Sequence, residues 1–207
     1  MIYEMRTYTL KVGAVAAYER AFEEALKVRQ KYSKLGAFWH TEIGTLNRVI
    51  HVWAYDSLQQ RADIRAASVK DESGLWPPRA AELILSQEVE ILETLPNVKP
   101  WGEPQQWGGL YEMRIYTYTG ADFPAAAARF NEKLPGRDGV YPVAGLFQTV
   151  QGHLNRLYQI YPYKSWDHRE EVRAAAREAG VWPPNAEVRP TEQFVQFMYP
   201  ASFSPLQ

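Results

Sequence analysis

Polar and apolar side chains alternate in a short stretch near the start of the chain, and the same stretch returns 108 residues later. Residues 3–9 and 111–117 are identical at six of their seven positions. Successive side chains of a strand point to opposite faces, so the alternation predicts a two-faced strand in each copy.

The pattern after the first stretch predicts two helices and three further strands. Val15, Tyr18 and Phe22 form an apolar stripe at helical spacing, and Ser57 followed by Gln60 has the spacing of a capping box. The predicted elements are a strand at about 2–10, a helix at about 13–33, strands at about 37–44 and 48–55, a helix from Ser57 to about 70, and a strand at about 84–93. Their order, β-α-β-β-α-β, is that of a ferredoxin-like unit.

The repeat extends through most of each half. Residues 46–48, Leu-Asn-Arg, recur at 154–156, and the Trp-Pro-Pro of 76–78 recurs at 182–184. The sequence therefore predicts an α+β protein of two tandem ferredoxin-like units, at 1–94 and 110–200, with a Pro/Gly-rich linker at 95–109 and a tail at 201–207. We expect one difference between the units: the first helix of the second unit, from about 122, should stop at about 134, before Pro135 and Gly136.

Composition and charge give no support for several classes of protein. Net charge is −1 with no block of like charge, which gives no support for a nucleic-acid partner, and the chain has no cysteine. Without an apolar run of about 18 residues or a recognisable signal peptide, we expect a cytoplasmic protein with no membrane partner. Aromatic residues make up 14% of the chain, which suits a pocket or an interface and equally a two-sided sheet.

The repeated strand, the Leu-Asn-Arg turn before an aromatic strand, and the duplication together resemble the NIPSNAP family. The resemblance covers nearly all of residues 2–199. It implies the dimeric α+β barrel superfamily, in which two units join sheet to sheet, so that the two halves here would close an intramolecular barrel. Relatives in that superfamily include cofactor-free monooxygenases, isomerases, polyketide cyclases and haem enzymes. Animal members of the family are associated with mitochondria, but we see no Arg-rich transit segment that would extend that role to this chain.

Alternation along the strands divides the candidate site residues from the core. We assign Met5, Ile50 and Val52 to the helix-covered face, so the opposite face should line the barrel interior. The predicted catalytic residues there are His51, Arg6 and Tyr8. The predicted substrate-binding residues are Trp39, Trp53, Tyr55, Glu4, Arg114, Tyr116, Gln159 and Tyr161.

Each of these residues also has a structural interpretation. Glu4 with Arg6, and Glu112 with Arg114, lie two residues apart on one face and can form an ion-pair layer that joins the halves. His51 could be a general base or a satisfied structural histidine. By alternation with Trp39, His40 should fall on the helix side or at the rim, and His153 and His168 lie outside the predicted site.

No sequence pattern indicates a metal or a phosphate loop. There is no HExxH motif and no close cluster of histidine and carboxylate residues, so we expect no metal and no cofactor. The alternative is a lone histidine that ligates haem, as in some relatives of the superfamily. The arginines of the second helices could form an anion patch or a solvated face; they are Arg61, Arg65, Arg169, Arg173 and Arg177. The two Trp-Pro-Pro turns read as structural anchors.

Two functions follow as hypotheses. The first is a cofactor-independent isomerase, cyclase or monooxygenase-like enzyme that binds a small aromatic or enolisable molecule, with His51 as base and with Arg6 and Tyr8 holding negative charge. The second is a non-catalytic binding or assembly protein whose barrel is filled by Glu-Arg-Tyr ion pairs. A homo-oligomer is possible in either case, because sheet edges invite pairing.

Overall fold

Each half of the chain forms the predicted β-α-β-β-α-β unit. The computed structural model describes residues 1–101, 103–184 and 187–207, so that one residue of the predicted linker, Gly102, lies outside the described residues. The first unit contains β1 (Ile2–Leu10), α1 (Val15–Arg29), β2 (Leu35–Ile43), β3 (Arg48–Tyr55), α2 (Leu58–Val69) and β4 (Ile84–Thr94). The second contains β5 (Leu110–Thr117), α3 (Phe123–Val140), β6 (Gly145–Gln151), β7 (Arg156–Tyr163), α4 (Trp166–Glu178) and β8 (Glu192–Pro200).

The eight strands close into one antiparallel barrel in the order β1-β3-β2-β8-β5-β7-β6-β4. Two seams, β2 with β8 and β4 with β6, join the halves. The prediction of an α+β fold in which two tandem units form an intramolecular barrel is therefore confirmed. No helix in the described part of the chain is long and apolar enough to cross a membrane.

Local sequence signals explain the turns and helix starts. Asn47 and Asn155 adopt positive φ angles of 56° and 59° in the two Leu-Asn-Arg turns, a conformation that asparagine tolerates better than most residues. Ser57 accepts a hydrogen bond from the backbone of Gln60 at 3.1 Å, as the capping-box spacing predicts. Ser165 caps α4 in the same way.

The predicted early end of the first helix in the second unit is wrong. Helix α3 continues through Pro135 to Val140. Leu134 and Arg137, on either side of the proline, are buried. Their packing stabilises the helix although Pro135 lacks the N–H group for one backbone hydrogen bond. The continuation brings Arg137 to the position that Arg29 holds in α1, 108 residues earlier.

The predicted assignment of the two sheet faces is also wrong. Met5, Ile50 and Val52 point into the barrel, where they pack with Met113 and Ile160 of the second unit. Aromatic rings cross between the halves in this interior core, as Trp39 with Tyr111 at a centroid distance of 5.4 Å. The alternation separates the two faces correctly, but an apolar face can be buried against another sheet as well as against helices.

The charged and aromatic face lies under the helices instead. Tyr8 and Trp53 pack with Tyr18, Phe22 and Leu26 of α1. Charged groups are stable there because Glu4 and Arg6 pair directly at 2.7 Å. The ion-pair layer therefore exists, as predicted, but it does not fill the barrel or join the halves.

The barrel interior keeps a cavity of about 220 Å³ at one end. It is lined in part by Arg48, Glu88, Glu90 and Arg156 and contains none of the predicted site residues. Apart from Trp39, the predicted site residues therefore lie on the outer face of the sheet and not in the barrel interior.

Candidate functional site

Each unit has a cavity between its sheet and its helices. The first-unit cavity has a volume of about 270 Å³ and the second-unit cavity about 450 Å³. The predicted site residues that line the first are Arg6, Tyr8, His51, Trp53 and Tyr55. Those that line the second are Arg114, Tyr116, Gln159 and Tyr161.

Trp39, predicted to bind substrate, lies in the barrel interior and lines neither cavity. Its register explains the difference, because Trp39 pairs with Ile50 on the interior face while its neighbour Phe38 pairs with His51. His40 lies on the helix side as expected, with Nδ1 2.7 Å from a carboxylate oxygen of Glu19 on α1.

Beside the first-unit cavity a single carboxylate gathers several arginines. Glu4 is fully buried, and its Oε1 forms ion pairs with guanidinium nitrogens of three arginines. The distances are 2.7 Å to Arg6, 2.6 Å to Arg61 and 3.7 Å to Arg65. Burial alone would raise the pKa of Glu4, but the Arg61 hydrogen bond and the neighbouring arginine charges bring that pKa below its usual value. Glu4 is therefore a fixed counter-ion and not a proton carrier at neutral pH.

The arginines of α2 are therefore not only a solvated face. Arg61 reaches the buried carboxylate and Arg65 lines the cavity. In the second unit Arg169 reaches Glu112 at 2.9 Å and Arg173 lines the cavity, which repeats the arrangement.

His51 is the only histidine that lines the first-unit cavity, as far as the described residues extend. Its Nδ1 accepts a 2.7 Å hydrogen bond from the indole nitrogen of Trp53, which can only donate. Burial, with the charges of Arg6, Arg65 and Arg29, lowers the pKa of His51 well below its ordinary value, so the ring is neutral. The single proton of the neutral ring must then lie on Nε2.

This tautomer changes the role that His51 can play. Nε2 is buried and has no hydrogen-bond partner among the described residues. It is an N–H donor, and a donor cannot accept a proton as the predicted general base would. The geometry favours His51 as a hydrogen-bond donor to a ligand oxygen.

Arg29 is a site residue that the sequence reasoning missed. It is 1% exposed, and its guanidinium lies 4.5 Å from the ring centroid of Trp53. It donates to the hydroxyls of Tyr55 at 2.9 Å and Ser33 at 2.6 Å, both of which are neutral groups. One sequence signal could have indicated that Arg29 is buried: an arginine recurs at the equivalent position 137, on the buried stripe of α3.

The Trp-Pro-Pro turns line the cavities as well as anchoring the fold. Trp76 packs edge-on against Trp53 at 5.9 Å and against Phe22 at 5.7 Å. Trp182 packs in the same way on Phe130 at 5.2 Å. Each cavity is therefore lined by aromatic rings as well as by arginines.

The second-unit cavity repeats this plan with different groups. Glu112 is paired with Arg114 at 2.6 Å, and Arg114 also donates to the Tyr116 hydroxyl at 3.0 Å. Gln159 stands where the first unit has His51, and it accepts a 2.7 Å hydrogen bond from Tyr161. Burial raises the pKa of Tyr161 well above its ordinary value, so its hydroxyl remains a donor.

Neither cavity offers a metal site. Across residues 1–101, 103–184 and 187–207, no three His, Asp or Glu side chains lie close enough to hold a metal ion. The haem of some barrel relatives would need a histidine nitrogen with a free lone pair. In His51 the lone pair of Nδ1 accepts the hydrogen bond from Trp53, and Nε2 carries the proton.

Comparison with known proteins gives the family and the fold. The NIPSNAP family model matches residues 3–98 and 111–205. The human protein NipSnap homolog 3B is 30% identical over 219 aligned positions, which cover 99% of this chain and 85% of that protein. A Dictyostelium discoideum NipSnap homolog is 27% identical, over 87% of this chain and 78% of its own.

Among solved structures, a Fusobacterium nucleatum protein provisionally described as a monooxygenase superposes with a TM-score of 0.65 over 96% of this chain and 91% of its own, at 10% identity. At that identity the likeness concerns the fold alone. The tandem match to the family model and the near-full-length similarity to NipSnap homologs establish that this chain belongs to the NIPSNAP family.

Proposed function

We propose that the first-unit cavity binds a small aromatic or enolisable carbonyl compound and stabilises the anion that forms when the compound releases a proton to water, as cofactor-free proton-transfer chemistry requires. The observation that carries the proposal is the unpaired Nε2–H donor of His51, buried beside a cluster of arginines. A buried donor without a partner is costly, and a ligand oxygen would satisfy it.

The charges around the cavity support an anionic ligand. Arg6, Arg61 and Arg65 share the single carboxylate of Glu4. The positive charge of Arg29 also interacts with this carboxylate but forms no ion pair with it. Arg29 has only neutral hydrogen-bond partners among the described residues. An oxyanion that forms in the cavity would therefore meet an excess of positive charge at low dielectric.

The remaining walls suit a planar molecule. Trp53 and Trp76 form an aromatic corner, and the Tyr8 hydroxyl accepts a 2.7 Å hydrogen bond from Arg6, which leaves its own proton free to donate. In this assignment Arg6 orients Tyr8 and supplies positive charge, and Tyr8 and His51 donate hydrogen bonds to the ligand oxygen. The indole rings of the two tryptophans pack against the planar part of the ligand.

The probe 4-nitrophenol tests this function, because its phenolate is coloured. We expect the wild-type protein to lower the pKa of the bound phenol below the value in free solution, since the arginines and the two donors favour the anion. The measurement is a visible-absorbance titration with pH at saturating protein. His51→Phe should weaken the shift, and His153→Phe is the matched control because the His153 side chain is 68% exposed.

An unchanged or raised phenol pKa in the wild-type protein would contradict the proposal. So would an equal shift in the His51→Phe variant, provided that circular dichroism shows it to be folded.

A non-catalytic binding protein is the second candidate. It is favoured by the Glu4 network, which is satisfied within the protein and needs no substrate. Exchange of an α-proton of a bound enolisable ketone for deuterium separates the two candidates: accelerated exchange supports an enzyme, and binding without exchange supports a binding protein.

A further inference from the structure

The second-unit cavity is much more cationic than the first. Five arginines line it, and its described lining contains no aspartate or glutamate. The five are Arg114, Arg137, Arg173, Arg177 and Arg189. Such a concentration of like charge in one concave site is costly unless an anion shares it.

Little of this charge is neutralised by the protein. Glu112 already serves Arg114 at 2.6 Å and Arg169 at 2.9 Å, with Arg173 at 3.8 Å. Arg177 and Arg189 form no ion pair with any residue in the described ranges. Several positive charges in the cavity are therefore available to pair with an anionic ligand.

Two buried donors in this cavity lack partners. Arg137 is 2% exposed, and its Nη2 makes no hydrogen bond to a described residue. Gln159 is 1% exposed; its Oε1 accepts from Tyr161, which leaves the Nε2 donor unpaired. Both side chains line the cavity, so acceptor atoms of a ligand there can satisfy both of them.

Residues at equivalent positions differ between the two cavities. Where Val69 lines the first cavity, Arg177 lines the second. Arg189 stands where the first unit has Leu83, and Ala126 replaces Tyr18, which is consistent with the larger volume of about 450 Å³. The second cavity is thus lined by five arginines where the first is lined by three.

We propose that the second-unit cavity binds a phosphate monoester of a small aromatic compound. A phosphate monoester carries close to two negative charges at neutral pH and has three strong acceptor oxygens. A carboxylate carries one negative charge and has two acceptor oxygens. Arginine recognises such oxygens with paired donors. Phe130 and Trp182 provide an aromatic wall for the organic group.

Isothermal titration calorimetry with phenyl phosphate tests the proposal. The variant is Arg177→Gln/Arg189→Gln, because both side chains are exposed at the rim and their loss leaves the core intact. The matched control is Arg20→Gln, an exposed arginine on α1. We expect the wild type and Arg20→Gln to bind alike, and the double variant to bind at least about 10-fold more weakly, since each lost charge-assisted hydrogen bond weakens binding severalfold.

Two further arms identify the ligand and the cavity. Inorganic phosphate should bind more weakly than phenyl phosphate, because it leaves the aromatic wall empty. Vesicles of phosphatidylcholine with phosphatidic acid test for a lipid headgroup; binding to them without binding to phenyl phosphate would overturn the proposal.

Equal affinity of wild type and double variant would also overturn it, as would a loss of affinity in His51→Phe alone, which would place the ligand in the first cavity. The calorimetry tests the second cavity and the 4-nitrophenol titration tests the first, so either proposal can be contradicted while the other stands.

Discussion

The indole nitrogen of Trp53 donates a 2.7 Å hydrogen bond to Nδ1 of His51, two residues earlier on the same strand. This bond fixes the tautomer of a neutral, buried imidazole. It is the reason why we assign His51 as a donor and not as a base.

The burial of His51 beside arginines predicts how stability depends on pH. The pKa of His51 is lowered on folding, so below about pH 6.5 the unfolded chain binds a proton that the folded chain does not. The stability that neutral His51 contributes is therefore complete above that pH and is lost as the pH falls, by up to about 1.4 kcal/mol per pH unit.

His51→Gln keeps an acceptor for Trp53 but cannot titrate. Urea unfolding at pH 7.5, 6.5 and 5.5 should show the wild type losing more stability than the variant as pH falls. Parallel losses in the two proteins would show that His51 is protonated in the folded state.

Glu4→Gln tests the buried counter-ion. The change leaves Arg6 and Arg61 with no carboxylate in a site where Glu4 is 0% exposed. We expect a loss of about 3 kcal/mol in the free energy of unfolding, because removing one partner of a buried ion pair leaves a charge uncompensated. Glu23→Gln, at an exposed position on α1, is the control and should change stability by no more than about 0.5 kcal/mol. Equal effects in the two variants would contradict the network.

Trp39→Ala tests the apolar barrel interior. Trp39 is 0% exposed and packs against Tyr111 of the other unit. Its truncation should cost about 3–5 kcal/mol through lost contacts and a cavity at the seam. Trp166→Ala is the control, since Trp166 is 40% exposed, and it should cost far less. Thermal or urea unfolding measures both; a mild effect of Trp39→Ala would indicate a ligand-sized space inside the barrel.

The sequence predicts the fold well because its signals are local and repeated. The bounds of β3 agree with the prediction, Ser57 caps α2, and the Leu-Asn-Arg turns occur at Asn47 and Asn155. It also groups Glu4, Arg6 and His51 on one face correctly.

It could not tell which face is inside, because alternation separates two faces without assigning either. The barrel interior proved apolar, and the ionic face lies beneath α1. Arg29 and Arg137 were missed because a charged residue within a helix is usually exposed. Pro135 similarly suggested a helix end that packing of its neighbours overrides.

A crystal structure of the protein with bound 4-nitrophenol tests the central claim most directly. We predict the ring between the sheet and α1, against Trp53 and Trp76, with the phenolate oxygen within hydrogen-bond distance of His51 Nε2. A ring inside the barrel beside Trp39 and Met113, or an oxygen that makes no contact with His51, would contradict it.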